Sequence, residues 1–173
     1  MHLTYKNITI RNAAPADCPQ LAAWWNDGKV MAHAGFPKGL STTAEKIQEQ
    51  IATDTDDTRR RLVIELDGEL IGETSYTILE DKAEIGIKIC DFSKQNRGLG
   101  RICLSMLITA LFEKGCTKIL LDTNLKNERA QHVYESLGFR KMRINVDAWI
   151  DQVGVPQTSV DYELLPEVFH SFI

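Results

Sequence analysis

The sequence predicts an α/β (α+β) protein built on a mixed central sheet, and two observations predict it. Three strand-like segments follow one another up to residue 90, and Asp67-Gly68 between the first two is a strong hairpin signal, so we expect an antiparallel meander. The apolar helical run 101–112 then connects strand 83–90 to a short apolar strand at 118–121. A strand, a crossover helix and a second strand in this order make a locally parallel pair.

The elements before the meander are predicted from alternation and capping residues. Residues 7–11 alternate polar and apolar side chains, which suits a first strand. Asp17 can cap the helix that follows it. Glycine and proline interrupt residues 29–40, which we interpret as a loop or broken helix, and residues 41–45 resemble a helix start. The three arginines at 59–61 are expected to be exposed.

The elements after the parallel pair are predicted to be a helix and a hairpin. Residues 127–137 form the helix, and Gly138 stops it. Residues 141–150 and 155–164 make the final hairpin. The prediction is a single domain over residues 1–173 with about seven strands and about four flanking helices.

Composition narrows the class of function. The chain has 173 residues, of which 43% are hydrophobic and 25% charged, as in ordinary globular proteins. A net charge of -4 argues against a general binder of nucleic acid or anionic membranes. The chain begins without the apolar core of a signal peptide and has no bilayer-spanning run, so a cytoplasmic location is expected. Its histidines and cysteines are scattered, so no metal site is expected.

The most informative stretch is residues 95–100, Gln-Asn-Arg-Gly-Leu-Gly, between a strand and the long helix. The first N–H groups of a helix lack intrahelical partners and favour anions. Gly98 and Gly100 have no Cβ, so an anion can approach the backbone closely, and Arg97 and Arg101 add charge. We interpret the stretch as a diphosphate cradle. On these residues alone, an ordinary tight turn with two solvated arginines is an equal alternative.

The spacing Gln-x-x-Gly-x-Gly resembles the acetyl-CoA loop of the GNAT superfamily of N-acetyltransferases. Residues 127–130 (Asn-Glu-Arg-Ala) and 134–139 (Tyr-Glu-Ser-Leu-Gly-Phe) resemble the second signature of that family, at the usual separation. The flanking layout looks most like the branch of ribosomal-protein N-terminal, polyamine and aminoglycoside acetyltransferases. This resemblance implies the GNAT fold and acetyl transfer from acetyl-CoA, as cosubstrate, to an amine without a metal.

The resemblance also implies which residues hold acetyl-CoA. Backbone groups of Ile87, Lys88 and Ile89 would pair with pantetheine like an added strand, and one N–H would stabilise the oxyanion. The side-chain amide of Asn127 would bond pantetheine, although Asn is also a preferred helix N-cap. The loop residues assigned to the cofactor are Gln95, Asn96, Arg97, Gly98, Leu99, Gly100 and Arg101.

Two side chains are predicted to move protons. Tyr134 lies about two helical turns after Asn127, and its place in the second signature implies that its hydroxyl protonates the departing thiolate as general acid. Its alternative role is a half-buried core tyrosine. Glu84 is the leading general base, because it lies at the start of the site strand, where the resemblance implies a Glu, and the alternative is an exposed strand-end carboxylate. Glu73 and Asp161 are weaker base candidates.

The acceptor is the least determined part of the prediction. In GNAT folds the region between the first two helices borders the acceptor site. The candidate wall residues are therefore Trp24, Trp25, Met31, His33 and Phe36, although a core position is the better interpretation of both tryptophans. Acidic residues that would suit a cationic acceptor are Asp27, Glu84, Asp147, Asp151 and Asp161.

The expected acceptor is a small-molecule amine or a peptide N-terminus, such as a protein N-terminus, a polyamine or another small cationic amine. A homodimer is compatible with the resemblance, whereas nucleic acid and membrane partners are not expected. The alternative function is a non-catalytic acetyl-CoA-binding sensor or interaction module on the same fold, which would bind the coenzyme without turnover.

Overall fold

A computed structural model describes residues 1–173 and contains one eight-stranded sheet. The strands are β1 (His2–Tyr5), β2 (Ile8–Asn12), β3 (Arg59–Leu66), β4 (Glu69–Leu79), β5 (Lys82–Ile89), β6 (Lys118–Asn124), β7 (Arg140–Ile150) and β8 (Pro156–Leu164). The α-helices are α1 (Cys18–Asn26), α2 (Gly28–Met31), α3 (Ala44–Ala52), α4 (Leu99–Glu113) and α5 (Glu128–Ser136).

The strand order in the sheet is β1-β2-β3-β4-β5-β6-β8-β7. Neighbours from β1 to β5 are antiparallel, β5 and β6 are parallel, and β8 pairs antiparallel with both β6 and β7. Helix α4 is the crossover between the two parallel strands. The meander, the parallel pair and the final hairpin confirm the fold class that the sequence predicts.

The parallel pairing of β5 and β6 is short. Cα pairs join Lys82 to Lys118, Ala83 to Ile119 and Glu84 to Leu120, and no further pair follows. Both strands nevertheless continue toward their carboxyl ends. Beyond Glu84 and Leu120 the two strands diverge and no longer pair with each other, which leaves a gap at the centre of the sheet.

The sheet carries a separate apolar cluster on each face. The larger cluster joins the sheet to α4 and α5 and includes the fully buried Tyr76, Leu104 and Leu107. The smaller cluster joins the opposite face to α1 and α3 around Leu21 and Ile47. None of the helices is long and apolar enough to cross a membrane.

Three local predictions are corrected. Strand β1 was not predicted, and it pairs at the sheet edge with β2. Asp17 occupies the N-cap position of α1, but its side chain makes no cap bond; it accepts from Arg11 and from the Ala14 N–H instead. Arg60 and Arg61 lie within β3 and are half-buried, because both form ion pairs there.

Candidate active site

The gap between β5 and β6 opens into a cleft with a volume of about 910 Å³. One end of the cleft is formed by the loop before α4 and the first turn of that helix. The other end is formed by α2, the residues just after it and Trp149 of β7. A molecule lying in the cleft can therefore touch the N-terminus of α4 and extend through the sheet toward α2.

The loop before α4 has the backbone conformation that an anion cradle needs. Asn96 has φ 58° and Gly98 has φ 75°, both in the left-handed region. Asn tolerates this region better than most residues, so the turn does not require a glycine at position 96. No side chain caps α4, which leaves its first N–H groups open. A Cβ on Gly100 would meet nothing within 4 Å, so open space lies directly over the helix start.

Hydrogen bonds tie this loop to two neighbouring elements, β5 and α5. The Gln95 amide donates to the Ile89 carbonyl at 2.8 Å and so ties the loop to the end of β5. Arg129 of α5 donates to Gln95 Oε1 at 2.8 Å and to Asn96 Oδ1 at 3.3 Å. The Arg101 guanidinium lies over the ring of Phe172, 4.7 Å from its centroid. The loop geometry is thus set before any ligand binds.

Asn127, the N-cap residue of α5, and Tyr134 within that helix both line the cleft. Asn127 Oδ1 accepts from the Ala130 N–H at 3.2 Å, so it caps the helix while its amide nitrogen donates to no protein acceptor. The Tyr134 ring is buried in edge contact with Phe139 and Tyr162. Burial, with the nearby Asp122 carboxylate, raises the pKa of Tyr134 to about 12. Its hydroxyl therefore keeps its proton at neutral pH, and that hydroxyl makes no hydrogen bond within the protein.

Glu73 is a buried carboxylate at the cleft wall, with 2% of its surface exposed. Its Oε1 accepts from Trp25 Nε1 at 2.9 Å and from Lys88 Nζ at 3.0 Å, and its Oε2 accepts from Arg61 at 3.0 Å. Burial opposes ionisation, but the charges of Lys88 and Arg61 outweigh it and hold the pKa of Glu73 below its ordinary value. A carboxylate so fully engaged is poorly suited to accept a proton.

Asp122 is a second carboxylate at the cleft, and sequence reasoning missed it. It lies on β6 two residues beyond the last parallel pair, and it forms no ion pair. Asp122 is exposed at the cleft, but partial desolvation there, and then the charge of Asp161, raises its pKa. The signal available in the sequence was its position directly after the apolar residues 119–121, near the carboxyl end of a strand in the parallel pair.

The cleft gathers most, but not all, of the predicted site residues. Of the thirteen predicted cofactor and catalytic positions, only Arg97 and Glu84 do not line it, and both are exposed. Those that line it are Ile87, Lys88, Ile89, Gln95, Asn96, Gly98, Leu99, Gly100, Arg101, Asn127 and Tyr134.

The acceptor end differs from the expected wall. His33 lines the cleft, whereas Trp25 and Met31 are buried in the smaller apolar cluster and Trp24 and Phe36 pack against it. Trp149, which was not predicted, forms part of the wall and lies against Gly35. None of the five acidic residues expected to attract a cationic acceptor lines the cleft.

The fold and the cleft define an acyltransferase-type domain, and comparison with known proteins gives the family. Residues 7–140 match the acetyltransferase (GNAT) domain family, and the chain belongs to it. This match confirms the family that the two sequence motifs predict.

Particular relatives illustrate the breadth of the family. A mycothiol acetyltransferase from Thermomonospora curvata is 29% identical over 141 residues, which are 80% of this chain and 46% of that protein. This chain therefore spans about half the length of that curated relative.

Among solved structures, a probable acetyltransferase is 26% identical with a TM-score of 0.82, and the match covers 96% of this chain and 98% of that one. A spermidine N-acetyltransferase from Vibrio cholerae, solved with CoA and spermine, has a TM-score of 0.83 at 22% identity. That match covers 94% of this chain and 97% of the Vibrio cholerae chain, and it supports the fold.

Proposed function

We propose that this protein is an acetyl-CoA-dependent N-acetyltransferase that moves the acetyl group directly to a primary amine through a tetrahedral intermediate. The diphosphate of the coenzyme would lie on the N–H groups at the start of α4. Pantetheine would run along the unpaired edge of β5, where backbone groups of Ile87, Lys88 and Ile89 would bond it. The amine would enter from the α2 end of the cleft.

One observation carries most weight in this proposal. The open start of α4 and the unbonded hydroxyl of Tyr134 face the same cleft, where β5 and β6 no longer pair with each other. An anion site, a free strand edge and a proton donor in one channel are the parts that thioester aminolysis requires. Membership of the acetyltransferase family and the CoA complex of the Vibrio cholerae relative support the same coenzyme.

The two proton transfers can be assigned to groups at the cleft. Tyr134 would donate its proton to the departing thiolate, since its raised pKa keeps it protonated. Glu84, the base expected from the sequence, is exposed outside the cleft lining, and Glu73 is held by three donors. We therefore assign the base to Asp122, acting directly or through water, because it is the unpaired carboxylate at the cleft.

The experiment is release of CoA thiol from acetyl-CoA in the presence of a panel of amines, with coenzyme binding measured separately by calorimetry. Tyr134→Phe should lower kcat by about 100-fold, a typical contribution of a general acid, with little change in the affinity for acetyl-CoA. Tyr5→Phe, in the edge strand β1 away from the cleft, is the matched control and should leave kcat unchanged.

The outcomes separate the two functions considered. Turnover that falls in the Tyr134 variant but not in the Tyr5 variant supports the enzyme. Tight binding of acetyl-CoA with no turnover of any amine would instead support the non-catalytic coenzyme-binding module. If the protein neither binds acetyl-CoA nor acetylates any amine, both functions are refuted.

A further inference from the structure

The acceptor end of the cleft carries two cations that the proposed transfer chemistry does not use. Arg61 on β3 and Lys88 on β5 both line the cleft, with 21% and 33% of their side-chain surfaces exposed. Each makes one side-chain hydrogen bond to the protein, in both cases to Glu73. Their remaining N–H donors have no protein acceptor, so they are available to a ligand in the cleft.

The buried Glu73 carboxylate holds both cations in place. Glu73 lies between them and bonds both, and a third bond from the Trp25 indole fixes the carboxylate itself. The Arg61 guanidinium lies over the Trp25 ring, 4.9 Å from its centroid. Two positive charges against one buried carboxylate leave an excess of one positive charge in this group. Lys29, which also lines the cleft, adds positive charge at the α2 end.

We propose that the acceptor amine also carries a carboxylate, which Arg61 and Lys88 bind while the amine nitrogen faces the thioester. This inference rests on the acetyl transfer proposed above and names the substrate class of that site. An arginine and a lysine at one spot match a carboxylate through charge-assisted hydrogen bonds. Asp122, on the neighbouring strand across the gap, is then available for the opposite end of the acceptor, the ammonium group.

The same arrangement disfavours a polycationic acceptor. A polyamine entering the cleft would meet Arg61 and Lys88, and like charges in a partly buried site repel. The acidic residues that would attract a polyamine, among them Asp27 and Asp151, lie outside the cleft lining. The group formed by Glu73, Arg61 and Lys88 therefore determines whether the cleft prefers an anionic or a cationic acceptor.

The test compares matched acceptors by their kcat/KM for CoA release with the wild-type chain. Each free amino acid is paired with its own primary amide, each short peptide with an acidic second residue is paired with the amide version of that residue, and spermidine is included. The member with the carboxylate should be preferred by about tenfold or more, as expected for a hydrogen bond to a charged group. Preference within the amino-acid pairs or within the peptide pairs identifies the source of the carboxylate.

Variants then show which side chains cause the preference for carboxylate-bearing acceptors. Arg61→Gln should remove most of the advantage of the carboxylate-bearing member through a higher KM, with little change in acetyl-CoA binding. Arg59→Gln is the matched control, because Arg59 lies on the same strand, is exposed and does not line the cleft. Lys88→Glu should reverse the preference toward spermidine. Unchanged acetyl-CoA binding in each variant shows that the fold is intact.

Failure of this inference is distinct from failure of the proposed function. Turnover of spermidine or of the neutral amides at rates equal to or above those of the carboxylate-bearing amines would overturn the inference while leaving the N-acetyltransferase in place. A preference that survives in Arg61→Gln and in Lys88→Glu would also overturn it. Absence of turnover with every amine would overturn both.

Discussion

Glu73 links the charge of the cleft wall to the stability of the fold. Its pKa is lowered because Lys88 and Arg61 outweigh the cost of burial, so its ionised form stabilises the folded state. This contribution is fully present above the ordinary carboxyl pKa and is lost as the pH falls through the lowered pKa of the folded state. Acid should therefore weaken the side-chain bonds that Glu73 accepts from Trp25, Arg61 and Lys88.

We predict that Glu73→Gln lowers the free energy of unfolding at neutral pH by about 2 kcal/mol, because it leaves two partly buried cations without a counter-charge. The loss should shrink as the pH falls into the range where the wild-type carboxylate itself takes up a proton. Denaturant unfolding across that pH range measures both effects. Glu69→Gln, exposed at the start of the same strand, should change little; an equal loss in both variants would contradict the assigned role.

A second prediction at the scale of single residues concerns Asp122, its neighbour Asp161 and the pH dependence of kcat. Because partial desolvation at the cleft and the Asp161 charge raise the pKa of Asp122, the acid limb of the kcat profile should lie above the ordinary range of an aspartate. Asp122→Asn should lower kcat by about 100-fold and abolish that limb. Asp161→Asn removes a negative charge near Asp122 and should move the limb to lower pH. A limb that stays in place in both variants would exclude Asp122 as the base.

At the scale of elements, a substitution in the first turn of α4 should weaken the binding of acetyl-CoA without lowering the stability of the fold. Gly100 lies within the helix, and a Cβ there would meet only open space, so Gly100→Ala should leave the stability unchanged or slightly higher. The same methyl group would occupy the space proposed for the diphosphate. We therefore expect the KM for acetyl-CoA to rise by about tenfold with the melting temperature preserved.

Steady-state kinetics and thermal unfolding of this variant together test that expectation. Thr109→Ala, in the same helix but outside the cleft lining, is the control and should leave the KM unchanged. A normal KM in Gly100→Ala would place the diphosphate elsewhere.

The elements that the sequence predicted correctly are those whose signals are local. The Asp67-Gly68 turn, the glycine stops and the apolar run of α4 each specify an element without help from distant residues. Strand β1 lacks such a signal, because it is a four-residue edge strand with no fully buried side chain. Its turn uses Lys6 at φ 52°, a residue type that does not mark a tight turn.

At the scale of the whole molecule, the coenzyme end of the cleft was predictable and the acceptor end was not. The loop at residues 95–100 and α5 carry compact motifs, and the fold brings them to one cleft. The acceptor end depends on contacts between distant segments, such as the bond from Trp25 to Glu73 across 48 positions. Glu73 bonds Trp25 of the apolar cluster on the face opposite to α4, and no pattern in the β4 sequence shows which side chains cover it.

The acceptor wall illustrates the same limit. Gln152 in the loop between β7 and β8 bonds the Lys38 N–H and the Gly39 carbonyl, which closes the final hairpin over the segment after α2. Trp149 is thereby brought against Gly35 and into the cleft. No property of Trp149 in the sequence distinguishes it from Trp24 or Trp25, since only this long-range pairing decides which indole borders the cleft.

The most direct test of the central claim is a crystal structure of the chain with CoA. We predict density for the diphosphate within hydrogen-bonding distance of the backbone N–H groups from Gly98 to Arg101, with pantetheine along the free edge of β5. A diphosphate bound away from the start of α4, or a cleft left empty at a saturating concentration of CoA, would contradict the account.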